Sequence, residues 1–227
     1  METKIERFIY ETREDWKEFR KGLFTASQIN RLMAKSKNEC GLSDGAITYI
    51  LELINNVKGE PKPDIFNAAM EWGNEQEPQA VLRFADDNGL SVNDDNFIYT
   101  SVGGFVFFTY NKIAGGTPDI ILKDKIVEIK CPNSDTHLYN YLFVNADNFQ
   151  KEYPIYYDQI QLNMFLCEKK EAVFMSFDPR IKKVENQAKY INIAYDENRV
   201  QQILDKIFDA ECFKVSLLNQ LENDTNI

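Results

Sequence analysis

Two carboxylates and an ammonium fall close together in AGGTPDIILKDKIVEIKCP, residues 114–132, on segments where apolar residues are otherwise the rule. Residues 119–122 read as one short strand, Lys123, Asp124 and Lys125 as a polar turn, and residues 126–130 as a second strand. Side chains alternate along a strand, so Glu128 and Lys130 share one face while Val127 and Ile129 point to the other. Asp119 opens the first strand almost opposite them. Carboxylates this close repel one another, and burying them unpartnered is costly unless a cation sits between them. Magnesium suits such a place, because it takes oxygen ligands, keeps some of its waters and is held by one or two carboxylates plus a phosphate. Lys130 would then face a metal-bound water, orient it and offset charge building on a phosphate under attack. The same Asp-x8-Glu-x-Lys spacing also fits an exposed hairpin with a solvated Glu–Lys pair, so the hairpin alone leaves both readings open.

The elements around the hairpin must bring further groups to it. Residues 11–20 read as a helix with Trp16, Phe19, Arg20 and Leu23 along one side, so Arg20 emerges beside an apolar stripe. The T-x-x-Q run from Thr25 to Gln28 is a capping box that leaves Ser27 in a first helical turn, where backbone N–H groups are free. A hydroxyl and an arginine at such a place make an anion site, the alternative being a plain cap and a surface arginine. Ser43 stands in a formal G-x-S-x-G, but the preceding KSKNEC is no buried strand, so Ser43 is expected to cap a helix through Ile47, Ile50, Leu51 and Ile54. After a proline-rich turn at residues 59–63, residues 65–88 form a long helical stretch with a possible kink at Pro78. Its inward stripe of Phe66, Ala69/Met70, Gly73, Glu77, Val81 and Phe84 places Glu77 where an apolar residue should be. Such a carboxylate wants a metal or a cation, with Arg83 or a lysine as the alternative partner.

Residues 97–100 and 105–109 look like strands leading into the hairpin, and Gly115-Gly116 allows close backbone approach. The segment NSDTHLYN, residues 133–140, reads as a polar loop carrying His137 as a surface residue. Residues 153–167 form a helix with Gln159 polar on an inward stripe, residues 171–177 and 189–195 are strands, and Asp196 caps a last helix through about residue 221.

With 227 residues and 44% hydrophobic content, the chain supports one α/β domain over residues 1–227, with residues 1–10 and 222–227 peripheral. No run of eighteen apolar residues predicts a membrane span, and Cys40, Cys131, Cys167 and Cys212 show neither metal-ligand nor disulfide spacing. A soluble cytoplasmic protein is expected. A single histidine argues against zinc and His-based acid–base chemistry. The net charge of −10 requires that any nucleic acid be held by a local basic cluster.

Gly116-Thr117-Pro118-Asp119 followed by Val127-Glu128-Ile129-Lys130-Cys131-Pro132 resembles the PD-(D/E)xK nuclease motif in the form used by the lambda exonuclease, or YqaJ-like viral recombinase, family. Further blocks in family order carry the resemblance. They are Trp16 to Arg20 with Gly22 and Thr25-Ala26-Ser27, then Trp72-Gly73 with Glu77, Gln159-Ile160-Gln161, and Asp178-Pro179-Arg180. The resemblance implies a restriction-endonuclease-like mixed central sheet flanked by helices. It implies magnesium, with manganese substituting, as one or two ions held by Asp119, Glu128, the Ile129 carbonyl and Glu77. Lys130 completes that catalytic set by positioning the attacking water, and Arg20, Ser27, Thr117 and Gln159 are implied to recognise the 5′ phosphate of a DNA end. The implied reaction is 5′-to-3′ digestion of linear duplex DNA that leaves 3′ single strands for phage-type recombination. A homotrimeric ring, a single-strand-annealing partner and a phage or prophage origin are implied as well. A PD-(D/E)xK endonuclease and a non-catalytic DNA-end-binding protein are the alternatives. Family members place a DNA-touching basic residue where this chain has Thr136 and His137.

Overall fold

The computed structural model describes residues 3–36, 41–59 and 68–224. Cys40, Phe66 and the turn expected at residues 60–63 lie outside the described residues. In chain order the elements are β1 (Ile5–Tyr10), α1 (Arg13–Phe19), β2 (Phe24–Thr25), a 3-10 helix (Ala26–Leu32), α2 (Asp44–Lys58) and α3 (Ala68–Asp87). There follow β3 (Ile98–Tyr99), β4 (Phe105–Tyr110), β5 (Ala114–Gly116), β6 (Ile120–Ile121) and β7 (Lys125–Lys130). The last part comprises α4 (Ser134–Phe143), α5 (Phe149–Glu152), α6 (Pro154–Leu166), β8 (Glu171–Phe177), a 3-10 turn (Val184–Asn186), β9 (Ala188–Ala194) and α7 (Glu197–Asp224).

Among the described residues the strands form two mixed sheets rather than one. The first runs β1-β4-β5-β2 and the second β3-β6-β7-β8-β9. The expected hairpin forms in the expected register, Ile120 opposite Val127 and Ile121 opposite Ile126. β7 runs parallel to β8, and β9 closes antiparallel. The alternation along β7 sorts its side chains between two layers. Val127 and Ile129 join Ala80, Val81 and Phe84 of α3 in one apolar cluster, while Ile126 joins Ile160 and Met164 of α6 in another. The second sheet is thereby covered on both faces. Residues 5–10, expected to be peripheral, form an edge strand paired with β4 along its full length.

Local chemistry accounts for where helices begin. The Thr12, Ser43 and Asn133 side chains accept from Asp15, Ala46 and Thr136 N–H at the starts of α1, α2 and α4. Asp196 accepts from Arg199 N–H at 2.9 Å to start α7. Two expectations are corrected. The capping box at Thr25 does not form: Thr25 caps the 3-10 helix without a side-chain hydrogen bond, because its hydroxyl lies near Tyr49 and Ser27. The segment at 133–140 is a helix start rather than a loop, since the Asn133 cap outweighs its polar composition. The close approach expected at Gly115-Gly116 is present. A Cβ on Gly115 would strike the Phe108 carbonyl and the Phe107 ring, and one on Gly116 would strike Asn163 and the Ala26 methyl.

Candidate active site

Glu128 is the centre of the site, buried at 1% exposure in the middle of the second sheet. Its Oε1 accepts from the Lys130 ammonium at 2.6 Å and from the Gln159 amide at 2.5 Å, and its Oε2 faces the Asn163 amide at 3.4 Å. The strand period puts Lys130 beside it, and the helix period puts Gln159 and Asn163 one turn apart on α6 above it. Asp119 reaches the same place from across the hairpin. Its main-chain N–H donates to the Val127 carbonyl at 3.1 Å, and its Oδ2 accepts the Ile129 N–H at 2.5 Å. Glu77 arrives from α3 and accepts the Tyr99 hydroxyl at 3.0 Å, while Arg83, considered as a partner for it, pairs instead with Asp87.

The electrostatics describe a site with more acid than base. Burial, and then the Glu128 charge, hold the Asp119 carboxyl well above the ordinary carboxylate range. Burial likewise raises Glu77, against the Tyr99 hydrogen bond and the Lys130 charge. Burial alone would pull Lys130 down, but Glu128 and Asp119 overcome it and hold it above the ordinary lysine value. Lys130 therefore remains an ammonium at neutral pH and is a donor, not a base. Burial also pushes the Cys131 thiol up to about 12, which leaves it no thiolate with which to attack.

The anion-site residues come together only in part. Arg20 lies with its guanidinium carbon 3.9 Å from the Trp16 ring centre, its Nε without a hydrogen-bond partner, and burial pulls it down to about 10. At the end of β2 the Tyr49 hydroxyl accepts from Thr25 N–H at 3.0 Å. Ser27 is exposed, 3.4 Å from the Thr25 hydroxyl. The Thr117 hydroxyl donates to the Val106 carbonyl at 2.7 Å. Thr117 and Trp16 both line a cavity of about 310 Å³ that also reaches Glu77 and Arg13. Gln159 instead contacts Glu128 directly.

His137 is the clearest correction. It is fully buried, with Nδ1 3.0 Å from the Ser176 hydroxyl and Nε2 2.8 Å from the Asn186 carbonyl, because α4 turns it onto β8. Sequence reasoning missed Asn163, Tyr99 and Tyr156, whose ring lies 5.3 Å from the Lys130 nitrogen. The available signal for Asn163 was its position one helical turn beyond Gln159.

A family model, the YqaJ-like viral recombinase domain, matches residues 15–170. The chain belongs to this family. Among solved structures it is similar to an alkaline exonuclease, LHK-Exo, from Laribacter hongkongensis. That match has 25% identity and a TM-score of 0.71, and it covers 94% of this chain and 98% of that one. The same relative in complex with dAMP matches with a TM-score of 0.70. A phage-related exonuclease from Haemophilus somnus 129PT shares the fold at 18% identity and a TM-score of 0.67, over 88% of this chain and 96% of that one. No curated protein matches. The YqaJ-like fold thus carries Asp119, Glu128, Lys130 and Glu77 to one end of the β6–β7 hairpin.

A carboxyl whose pKa is raised on folding contributes stability at low pH and loses it as the pH rises through the raised value. Metal-free Asp119→Asn should therefore melt higher than the parent chain at pH 8, by about 2–4 °C for each kcal/mol of charge burial and repulsion relieved. The two should converge toward pH 4, as followed by thermal unfolding; parallel melting curves across that range would place the Asp119 charge outside the acidic cluster.

Proposed function

We propose that this chain is a magnesium-dependent exonuclease that digests linear duplex DNA from 5′ ends and leaves 3′ single strands for recombination by annealing. The observation that carries this reading is the Glu128 carboxylate, buried and shared among Lys130, Gln159 and Asn163, with two raised acids beside it. A nuclease family and an alkaline exonuclease among its structural neighbours support the reaction class. The dAMP bound by that relative is a mononucleotide, the product class of stepwise hydrolysis.

The donor set fits a hard divalent ion. Three carboxylates face one ammonium, so the charge balance favours a cation, while among the described residues no three acid, His or Cys side chains close around a point. Water and a substrate phosphate would complete the coordination of such an ion. Asp119, Glu128, Glu77 and the Ile129 carbonyl would hold it. When bound, such an ion supplies charge stabilisation at the phosphate and lowers the pKa of a coordinated water. The chain's own groups do the rest. Lys130, tied to Glu128, keeps its remaining N–H donors for the attacking water and for charge developing on the phosphate. Gln159 and Asn163 fix the Glu128 carboxylate through its two oxygens. Arg20, stored on Trp16 with no carboxylate partner among the described residues, is available to a terminal phosphate, with Ser27 and Thr117 as hydroxyl donors.

Asp119→Ala, Glu128→Ala and Lys130→Ala should each lower turnover by about 100-fold or more. Arg20→Ala should slow digestion of 5′-phosphorylated ends by about 10- to 150-fold and leave 5′-hydroxyl ends nearly unaffected. End-labelled linear duplex, with and without magnesium, reads both effects. Equal slowing on both ends would make Arg20 structural, and cleavage of closed circular plasmid would replace the exonuclease by an endonuclease. A chain carrying −10 gains little from long-range attraction to DNA, so sustained digestion calls for topological retention. A ring of three chains with lysines and arginines lining its channel provides that, and it presents a single-strand-annealing partner with the product strand. Light scattering should give three times 26.4 kDa; a single-chain mass combined with processive digestion on a trapped substrate would contradict the ring.

A further inference from the structure

Glu77 reaches the acidic cluster from the half of α3 that precedes its buried residues. The buried residues of α3, Ala80, Val81, Phe84 and Ala85, all follow Pro78, and none of residues 68–77 is buried. Proline has no N–H to return to the Asn74 carbonyl, and its ring presses against the preceding turn. The helix thus lacks one backbone hydrogen bond at the step between the turns that carry Glu77 and the half that packs on the sheet. Two of the side-chain contacts that reach those turns bear on the site. One is the Tyr99 hydroxyl on Glu77 itself, and the other is the Arg180 guanidinium, whose carbon lies 3.9 Å from the Trp72 ring centre.

Arg180 is held in place for that contact. Its Nε donates to Asp178 Oδ1 at 2.8 Å and its Nη2 to Asp178 Oδ2 at 3.0 Å, a forked pair, and Nη2 also reaches the Pro132 carbonyl at 3.3 Å. Asp178 is fully buried and takes the Ser134 hydroxyl at 2.6 Å as well. Gln187 braces the same loop by donating to the Pro179 and Ile181 carbonyls at 3.0 and 2.8 Å. Asp178 directly follows β8, and Pro132 lies two residues beyond Lys130 at the end of β7. The guanidinium plane is thus registered to the two parallel strands that carry the site, and its face is presented to Trp72, five residues before Glu77.

We infer that Arg180 is a positioning residue: clamped by Asp178 and stacked on Trp72, it fixes the turns of α3 that precede Pro78 and so sets where the Glu77 carboxylate stands relative to Asp119 and Lys130. The inference rests on the reading of Glu77 as a member of the catalytic set. Planarity is essential to it, because a lysine cannot make the fork to Asp178 and stack on the indole at once.

A double-mutant cycle on the full-length protein tests the coupling. Arg180→Ala should lower kcat on linear duplex by about 10- to 100-fold with little change in KM. Arg180→Lys should behave like Arg180→Ala, and Arg180→Ala in a Glu77→Ala background should add nothing to the loss caused by Glu77→Ala. Hydrogen exchange on the DNA-free, metal-free protein supplies a readout independent of activity. Amides of residues 70–77 should exchange faster in Arg180→Ala while those of residues 80–87 stay as they are. Trp72→Leu, which leaves the Asp178–Arg180 pair intact, should reproduce both effects and serves if Arg180→Ala does not fold. Additive losses in the cycle, or unchanged exchange at residues 70–77, would overturn the positioning role. Full turnover by Glu77→Ala alone would instead remove Glu77 from the catalytic set, and the inference with it.

Discussion

The constraint on which the rest of this structure depends is the burial of one carboxylate, Glu128, in the middle of a sheet. A buried ionised acid is tolerated only where charge and hydrogen bonds meet it from several sides. Here they come from three positions on two elements. Lys130 is supplied by the same strand through its two-residue period, and Gln159 and Asn163 by α6 through its helical turn. The surroundings are shaped to let α6 approach. Gly115 and Gly116 have no Cβ, since one there would strike the Phe108 carbonyl or Asn163. The polar positions of α6, among them Asp158, Gln159, Gln161 and Asn163, are buried in spite of their chemistry because each is bonded or faces the site. The cluster still gathers three acidic groups around one ammonium, and burial first of all raises the Asp119 and Glu77 carboxyls. A cation, as proposed above, would offset that imbalance.

The parts of the site legible in the sequence were those fixed by short-range periods. Asp119, Glu128 and Lys130 lie on one hairpin, so alternation and a tight turn suffice to bring them together, and the register found is the one expected. Glu77 stands out in the sequence as breaking an apolar stripe on a long helix, but that stripe is inward only from Ala80 onward, since Ala69 and Met70 are exposed. Strands β8 and β9 and the last helix were legible from apolar patterning and from the Asp196 cap.

What was not legible depends on contacts distant in sequence. His137 looked like a surface residue in a polar stretch, yet the Asn133 cap starts α4 there and turns the ring onto Ser176, thirty-nine positions away. Thr25 reads as a helix cap, but Tyr49 is a competing partner that no local pattern reveals. The edge strand β1 pairs with β4 across about a hundred residues, and none of its residues is fully buried, so no buried stripe marks it. Asn163 and Tyr99 are ordinary residues whose roles appear only once α6 and β3 are set beside Glu128 and Glu77.

The central claim is that the raised carboxyls around Glu128 form a divalent-cation site. Calorimetric titration of magnesium into the DNA-free protein at pH 7, repeated in buffers of different ionisation enthalpy, counts the protons that accompany binding. If Asp119 is held partly protonated by its neighbours, binding of the ion must release protons, and Asp119→Asn must reduce that release. Magnesium binding with no proton release in the parent chain, or release left unchanged by Asp119→Asn, would contradict the account.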